Sequence, residues 1–214
     1  MIHFNLEGYN MSDAAFWDKA AAKYAKDAIS DMTAYEATRD RIRQLLKPHH
    51  RILEIGCGTG STALELADKV ASYVGTDLSP KMIVIAQSKQ SNDTPAHLSF
   101  EVHDAAELPS GPHDVILALN LLHLVPNLED VLAQIHDALP SGGLLIAKTG
   151  LLQDGAWYLR WMIPVMRAIG KAPYVCSLSE VELLGLLNKT GFATNETLVQ
   201  DGMVPRMFTV SSKP

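Results

Sequence analysis

Short apolar runs alternate with amphipathic segments through the middle of this chain. The runs have the length of buried strands, and the segments between them carry apolar residues at helical spacing. The pattern predicts strands at 51–55, 73–76, 98–102, 114–119 and 144–148, and helices at 61–70, 81–89 and 128–139. Strands that alternate with helices indicate a parallel sheet covered by helices on both faces, with right-handed crossovers.

The segment before this alternation has only helical patterning. Thr33 and Glu36 have the spacing of a capping box, and apolar residues at helical spacing follow them. Trp17 and Tyr24 are seven residues apart and therefore share one helical face. We expect residues 1–47 to form an N-terminal helical cap on the sheet domain.

The end of the chain predicts a hairpin. After a helix at 179–190, the segments 193–199 and 206–211 have strand character and are joined by a turn near Asp201-Gly202. The hairpin puts one antiparallel strand into the sheet. The sequence therefore predicts an α/β fold: a Rossmann-like, doubly wound, mostly parallel seven-stranded sheet with one antiparallel terminal strand, plus the N-terminal helices.

Composition and charge narrow the class of protein. The chain has 214 residues, 47% of them hydrophobic and 20% charged, which are ordinary globular proportions. The two cysteines, Cys57 and Cys176, exclude a disulfide scaffold or a cysteine-rich zinc module. The net charge of −6 argues against a nucleic-acid partner. We find no signal-peptide pattern and no apolar run of about 18 residues, so we expect a cytoplasmic protein without stable membrane insertion.

The strongest chemical signal follows the first predicted strand. The sequence Glu54-Ile-Gly56-Cys57-Gly58-Thr-Gly60 takes a strand through alternating glycines into a helix. Glycines permit positive φ and let a ligand approach the backbone closely, and the free N–H groups of the helix start favour an anionic group. The dinucleotide fingerprint fails because Ser61 stands where its last glycine would be. A nucleoside triphosphate loop fails because no lysine follows Gly60.

Two aspartates follow the next two strands. Asp77 lies 17 residues after Gly60, where a carboxylate can accept hydrogen bonds from both hydroxyls of a ribose. Its alternative role is to cap the next helix, although Ser79 already supplies a cap. Asp104 ends the third strand, where it can accept a hydrogen bond from an exocyclic amine such as that of adenine.

Taken in order, these motifs resemble those of class I S-adenosylmethionine-dependent methyltransferases, and most closely the small bacterial enzymes of ubiquinone and menaquinone biosynthesis. The fourth-strand run 114–120 and the fifth-strand run 139–146 extend the likeness. The resemblance implies S-adenosyl-L-methionine as cofactor, S-adenosyl-L-homocysteine as product, and no metal. It implies a cofactor site formed by Tyr24, Glu54, Gly56, Cys57, Gly58, Asp77, Leu78, Asp104, Ala105 and Asn120.

The resemblance also implies roles for these residues. The backbone around Gly56 and Gly58 would line the methionine part of the cofactor, and Asn120 would contact the same end. Asp77 would bind the ribose and Asp104 the adenine amine, with the Ala105 N–H against the adenine ring. Methyl transfer needs mainly in-line positioning of an acceptor, and a general base is optional.

Four of the eight histidines are predicted at the wrong edge of the sheet for chemistry, since ligands bind at the carboxyl ends of the strands, and two more fall in a helix and in the leader. His103 and His123 fall at the correct edge. We assign His123 as a candidate general base, with packing beside the cofactor site as its alternative role. No cluster of histidine, cysteine and carboxylate residues has metal-site spacing.

The family places acceptor-site insertions after the fifth strand, and here residues 151–176 would form such an insertion within a domain at 48–214. If 154–171 is helical, its basic residues form one stripe and its apolar residues cover much of the rest. Three interpretations stay open: a core-facing helix, a lid over an apolar acceptor, or a membrane-surface helix. We favour the lid over the membrane-surface helix, with Trp157 and Trp161 shaping the acceptor pocket.

The leading functional hypothesis is a methyltransferase acting on a small, apolar or lipophilic acceptor, with homodimerisation left open. The competing hypothesis is a catalytically silent cofactor-binding subunit that serves another protein. A nucleic-acid methyltransferase is disfavoured by the charge and by the sequence Asn120-Leu-Leu-His123, which lacks the paired prolines typical of that class.

Overall fold

The structure is a computed structural model that describes residues 11–27 and 31–214. Residues 1–10 and 28–30 of the predicted N-terminal cap lie outside the described residues. Within the described part, seven α-helices and seven β-strands follow one another in this order: α1 (Met11–Tyr24), α2 (Met32–Leu45), β1 (Arg51–Ile55), α3 (Ser61–Leu66), β2 (Ser72–Asp77), α4 (Pro80–Ser88), β3 (Leu98–Val102), β4 (Val115–Leu119), α5 (Leu128–Ala138), β5 (Leu144–Gly150), α6 (Leu159–Ala168), α7 (Glu180–Lys189), β6 (Ala193–Gln200) and β7 (Arg206–Ser212). Short 3₁₀ turns at 67–69 and 122–124 complete them.

All seven strands form one sheet in the order β3-β2-β1-β4-β5-β7-β6. The five strands from β3 to β5 are parallel, and β7 is antiparallel to both of its neighbours. The predicted fold class, including the single reversed strand, is confirmed. The chain leaves β1 toward β2 and β3 and then returns to β4 on the other side of β1. Ligands of open α/β sheets bind where the strand order reverses in this way, at the carboxyl ends of the strands.

The central strands are buried on both faces, which explains their continuous apolar sequences. Four of the five residues of β1 and of β4 are buried. One face of the sheet packs against α5 and α7, with Leu132 and Leu183 in its core, and the other packs against α2, α3 and α4, with Ile42 and Ile83. The two apolar layers hold the strand ends in fixed positions.

The predicted helix cap is found at α4 but not at α2. Ser79 caps α4 by accepting from the Met82 N–H at 3.2 Å, with Pro80 in the first turn. At α2 the prediction is wrong: Asp31 caps the helix by accepting from the Ala34 N–H at 2.9 Å, so the helix begins before Thr33. A carboxylate two residues earlier in the chain is an equally good cap, and spacing alone does not decide between them.

No helix in the part of the chain that the structure describes is both long enough and apolar enough to cross a membrane.

Candidate functional site

The glycine-rich loop connects β1 to α3 at the reversal point of the sheet. Gly56, Gly58 and Gly60 all have positive φ, at 68°, 55° and 74°. Two of them are also required by packing, since a Cβ at Gly56 would lie 2.7 Å from Leu121 and one at Gly60 would lie 2.6 Å from Phe100. The positive φ values at all three positions, together with these contacts at two of them, explain why the sequence needs glycine at every second position of this loop.

Gly58 differs from the other two glycines. The nearest atom to a Cβ built there is Cε1 of Tyr24, 3.7 Å away, so the space above this residue is open to a ligand. Its N–H donates to Asp77 Oδ2 at 2.9 Å. A positive φ at an uncrowded position suits close approach of a ligand to the backbone.

Asp77, the last residue of β2, holds the loop and faces the cavity. Its Oδ1 accepts from the Ser79 N–H at 2.9 Å, and its Oδ2 accepts from Gly58. Burial raises the pKa of the carboxyl, the two N–H donors oppose that rise, and the charge of Asp18 adds to it. Each carboxylate oxygen has two lone pairs, so both oxygens keep capacity for a ligand hydroxyl.

One cavity gathers most of the predicted cofactor residues. The eight that line it are Tyr24, Gly56, Gly58, Asp77, Leu78, Asp104, Ala105 and Asn120. They come from α1 and from the ends of four strands, β1 to β4. Asp104 is held by its own loop, where Oδ1 accepts from the Ala106 N–H at 2.8 Å. Motifs that are far apart in the sequence therefore meet in a single cleft, along which the strand ends follow the sheet order β3, β2, β1, β4.

The other two predicted cofactor residues do not line the cavity: Glu54 is in β1, and Cys57 is in the glycine-rich loop. Glu54 is buried and accepts from the Tyr73 hydroxyl at 2.9 Å. Desolvation raises the pKa of Glu54 to about 7, with Tyr73 opposing the rise and Asp77 adding to it. Desolvation likewise raises the pKa of the Cys57 thiol, so this thiol is protonated near neutral pH and is a poor nucleophile.

Helix α1 covers the cavity. Asp13, Trp17 and Tyr24 all line it. The helix is fixed in place by Asp18, which accepts from the Ser79 hydroxyl at 2.5 Å and the Lys81 N–H at 3.1 Å. Sequence reasoning found Tyr24 but missed Asp13 and Asp18, because acidic residues on an exposed helix face carry no distinguishing pattern.

Asn120 marks the end of β4 inside the cavity. It is the only residue other than glycine with positive φ (57°) in the part of the chain that the structure describes. Asparagine tolerates this conformation better than most residues. Its N–H donates to the carbonyl of Lys148 at 2.7 Å, which ties the strand end to β5.

His123 does not line the cavity. Its Nδ1 accepts from the Gly150 N–H at 3.2 Å, so the neutral ring carries its proton on Nε2. Desolvation lowers the pKa of His123 to about 4, and the positive charge of Arg206 contributes to the fall. In this tautomer neither ring nitrogen is free to take a proton, and the general-base role remains a prediction that the geometry does not support.

The insertion after β5 reaches the cavity with its second half. Pro173 and Tyr174 line the cavity, and Arg167 lies 4.8 Å above the Tyr174 ring. The predicted pocket residues lie elsewhere: Trp157 and Trp161 are 69% and 74% exposed on the outer side of the insertion. The core-facing interpretation is wrong for both tryptophans, and the structure does not bring either of them to the cavity.

No group of three or more histidine, cysteine or carboxylate side chains is placed to hold a metal within residues 11–27 and 31–214. Of the two cysteines, Cys57 is in the glycine-rich loop and Cys176 is at the end of the insertion, and both are free thiols.

Comparison with known proteins gives a family match over most of the chain. A family model described as a methyltransferase domain matches residues 23–197. Polyketide synthase PksR of Bacillus subtilis is 29% identical over 158 residues, which are 68% of this chain and 6% of that protein. Magnesium-protoporphyrin O-methyltransferase of Rhodobacter capsulatus is 31% identical over 118 residues, or 53% of this chain and 52% of that protein. The chain thus spans a small part of the synthase and about half of the second relative.

Solved structures show the same fold. The crystal structure of magnesium protoporphyrin IX methyltransferase from Synechocystis with bound SAH has a TM-score of 0.69 at 18% identity, covering 94% of this chain and 95% of that chain. The YcgJ protein of Bacillus subtilis has a TM-score of 0.69 at 14% identity and covers 83% of this chain and 98% of that chain.

Proposed function

This chain belongs to the class I S-adenosylmethionine-dependent methyltransferases, and from that premise we propose that it moves a methyl group to a small, apolar or lipophilic acceptor by in-line displacement. The single observation that carries the proposal is the cleft that eight of the ten predicted cofactor residues line together.

The cleft fits the cofactor in two respects. The open space above Gly58 is where a side chain would block a ligand, and this suits the methionine part of S-adenosylmethionine. The free lone pairs of Asp77 suit the two ribose hydroxyls, and Asp104 and Ala105, which line the same cleft, would contact the adenine ring. Asn120 lies at the far end of the same cleft, where it would contact the methionine end.

When bound, S-adenosylmethionine supplies a methyl group made electrophilic by its sulfonium sulfur. The protein's part is to align an acceptor with that methyl and to exclude water. Trp17 and Tyr24 cover the cleft from α1, and Pro173 and Tyr174 cover it from the insertion. Positioning of this kind supplies on the order of 7–11 kcal/mol in ideal cases, and no general base is required by the geometry.

An apolar acceptor is supported by the wall that follows β4. Leu121, Leu124 and Val125 line the cavity there, close to the end marked by Asn120. An apolar wall gives binding energy to an apolar molecule and gives nothing to a nucleic-acid backbone. The overall charge of −6 agrees with this choice.

The test is cofactor binding followed by turnover. We expect calorimetry to show one site for S-adenosylmethionine and for S-adenosylhomocysteine, and methyl-labelled cofactor to transfer label to a member of a panel of small apolar acceptors. Binding of both cofactor forms without transfer to any acceptor, together with tight association with another protein, would favour the silent-subunit hypothesis. Absence of cofactor binding would overturn the site itself.

A further inference from the structure

Two basic side chains lie next to the cleft at the carboxyl edge of the sheet. Lys148 is on β5, opposite Phe208 of β7. Arg206, the first residue of β7, is opposite Gly150. Lys148 and Arg206 are therefore diagonal neighbours on one face of the sheet, which places their backbones about 7–8 Å apart. Gly150 has no side chain, and the His123 ring occupies the space above it, 3.3 Å from a Cβ built there.

This cation pair, Lys148 and Arg206, is one strand away from the cleft. The Lys148 carbonyl accepts the Asn120 N–H, and Lys148 is opposite Leu119, which lines the cleft. The charge of Arg206 also reaches the Tyr24 hydroxyl, where it partly offsets the rise in pKa caused by desolvation and by Asp77. The pair thus lies beside the end of the cleft where the acceptor is proposed to bind.

Within the described residues, neither cation of this pair has a carboxylate at ion-pair distance. Lys148 is 7% exposed, and its ammonium donates one hydrogen bond, to Thr38 Oγ1 at 3.0 Å. Desolvation lowers the pKa of Lys148 and the charge of Arg206 lowers it further, while the charge of Asp31, the residue that caps α2, acts in the opposite direction. A buried ammonium without a carboxylate partner is unfavourable by itself, and such groups concentrate at functional sites.

We propose that the cation pair binds a carboxylate of the methyl acceptor, so that the substrate class is an apolar acid. This inference rests on the proposed function, because the proposed function places an acceptor at this edge. A carboxylate between Lys148 and Arg206 accepts from the unused ammonium donors and from the guanidinium. Its apolar body then lies toward the wall formed by Leu121 and Leu124.

The test uses octanoate as a simple apolar acid and octanamide as its uncharged match. Both are titrated into the full-length protein saturated with S-adenosylhomocysteine, at low ionic strength, so that no turnover occurs. We expect octanoate to bind about tenfold more tightly than octanamide, since charge-assisted hydrogen bonds account for the difference. Equal affinities for the two probes would overturn the proposal.

Two variants and one control localise the effect. Arg206→Gln, at an exposed position, should remove the preference for octanoate and leave octanamide binding unchanged. Lys148→Met should also remove the preference for octanoate. It should not lower the melting temperature, because it replaces a buried charge by an apolar side chain of similar length. Lys69→Gln removes one charge from the opposite edge of the sheet and should preserve the preference. A preference that survives Arg206→Gln contradicts the proposal even if Lys148→Met fails to fold.

The cofactor itself carries a carboxylate. A second titration therefore tests whether the cation pair binds that carboxylate and not one on the acceptor. S-adenosylhomocysteine and 5′-methylthioadenosine differ by the amino-acid part that bears this group. We expect Arg206→Gln to leave both affinities within about twofold of the wild type, as for a change outside the cofactor site. A selective loss for S-adenosylhomocysteine would assign the pair to the cofactor and overturn its role in acceptor binding. Failure of the wild type to bind either ligand would instead refute the proposed function.

Discussion

The two edges of the parallel sheet use similar residues in opposite ways. At the amino edge, Asp114 accepts from the Arg51 side chain through both carboxylate oxygens at 2.8 Å and from the Arg51 N–H at 2.9 Å. At the carboxyl edge, Asp77 accepts only from backbone N–H groups, and the cation pair has no carboxylate partner within the described residues. Arg51 and Asp114 of the amino edge are matched to each other, whereas Asp77 and the cation pair of the carboxyl edge form no ion pair among the described residues.

The pKa shifts follow the same division. The Arg51 guanidinium lowers the pKa of Asp114 to about 2, whereas burial raises the pKa of Asp77 and of Glu54. Charged groups that satisfy each other stabilise the fold, and those left unmatched in a cleft are available to a ligand. The difference teaches that residue type alone does not mark the site: the two edges share their chemistry and differ in its pairing.

The largest expected effect is the loss of cofactor binding in Asp77→Ala. Two charge-assisted hydrogen bonds to ribose hydroxyls contribute about 1.5–3 kcal/mol each, so affinity for S-adenosylhomocysteine should fall by at least about 100-fold. Calorimetry measures the affinity, and circular dichroism checks that the fold persists. The affinity of Asp77→Asn should lie between that of Asp77→Ala and that of the wild type. An unchanged affinity in Asp77→Ala would remove Asp77 from the site.

A second prediction separates two glycines of one loop. Gly58→Ala should weaken cofactor binding with a small loss of stability, and Gly58→Val should weaken it further because a branched side chain fills more of the cleft. Gly60→Ala should instead destabilise the fold by about 1–3 kcal/mol, since its Cβ would overlap Phe100 and the positive φ adds strain. Thermal unfolding and calorimetry measure the two effects. Equal effects of the two Gly58 variants on affinity would indicate a simple turn at that position.

A third prediction uses the raised pKa of Glu54. A carboxyl whose pKa rises from 4.5 to about 7 on folding binds its proton more tightly in the folded state. Its contribution to stability is therefore fully present below pH 4.5 and is lost as the pH rises to about 7. Relative to the wild type, Glu54→Gln should gain about 3 kcal/mol of unfolding free energy between pH 4.5 and pH 7.5.

The quantity to measure is the difference in unfolding free energy between the wild type and Glu54→Gln, by denaturant unfolding at each pH. In the wild type alone, His123 acts in the opposite direction, because its pKa is lowered to about 4 and its stability contribution is lost as the pH falls from 6.5. A stability difference that stays constant with pH would show that folding does not raise the pKa of Glu54.

The smallest effect is expected at the amino edge. Asp114→Asn removes the charge that pairs with Arg51, and the partial exposure of both side chains limits the loss to about 1 kcal/mol at neutral pH. Affinity for S-adenosylhomocysteine should stay at the wild-type value, which makes this variant the matched control for Asp77→Ala. A loss of cofactor affinity in Asp114→Asn would break the division between the two edges.

The local patterns of the sequence determined the strands, the reversed β7, and eight of the residues that line the cleft. Apolar runs buried on both faces have little alternative to a central strand, and glycines in alternation have few alternatives to a ligand loop. The same reasoning put Asp77 and Asp104 at one edge because strand ends of a parallel sheet share that edge.

Only the tertiary structure decided which side chains face the cleft. The spacing of Trp157 and Trp161 fits a lid, a core helix or a surface helix equally well, and their exposure depends on how α6 and the turn before it pack on their neighbours. His123 has a suitable sequence position, yet the Gly150 N–H fixes its tautomer. Lys148 and Arg206 are 58 residues apart and meet through the β5–β7 register. Local sequence sets the period and ends of an element, whereas pairing across elements depends on packing that no short segment encodes.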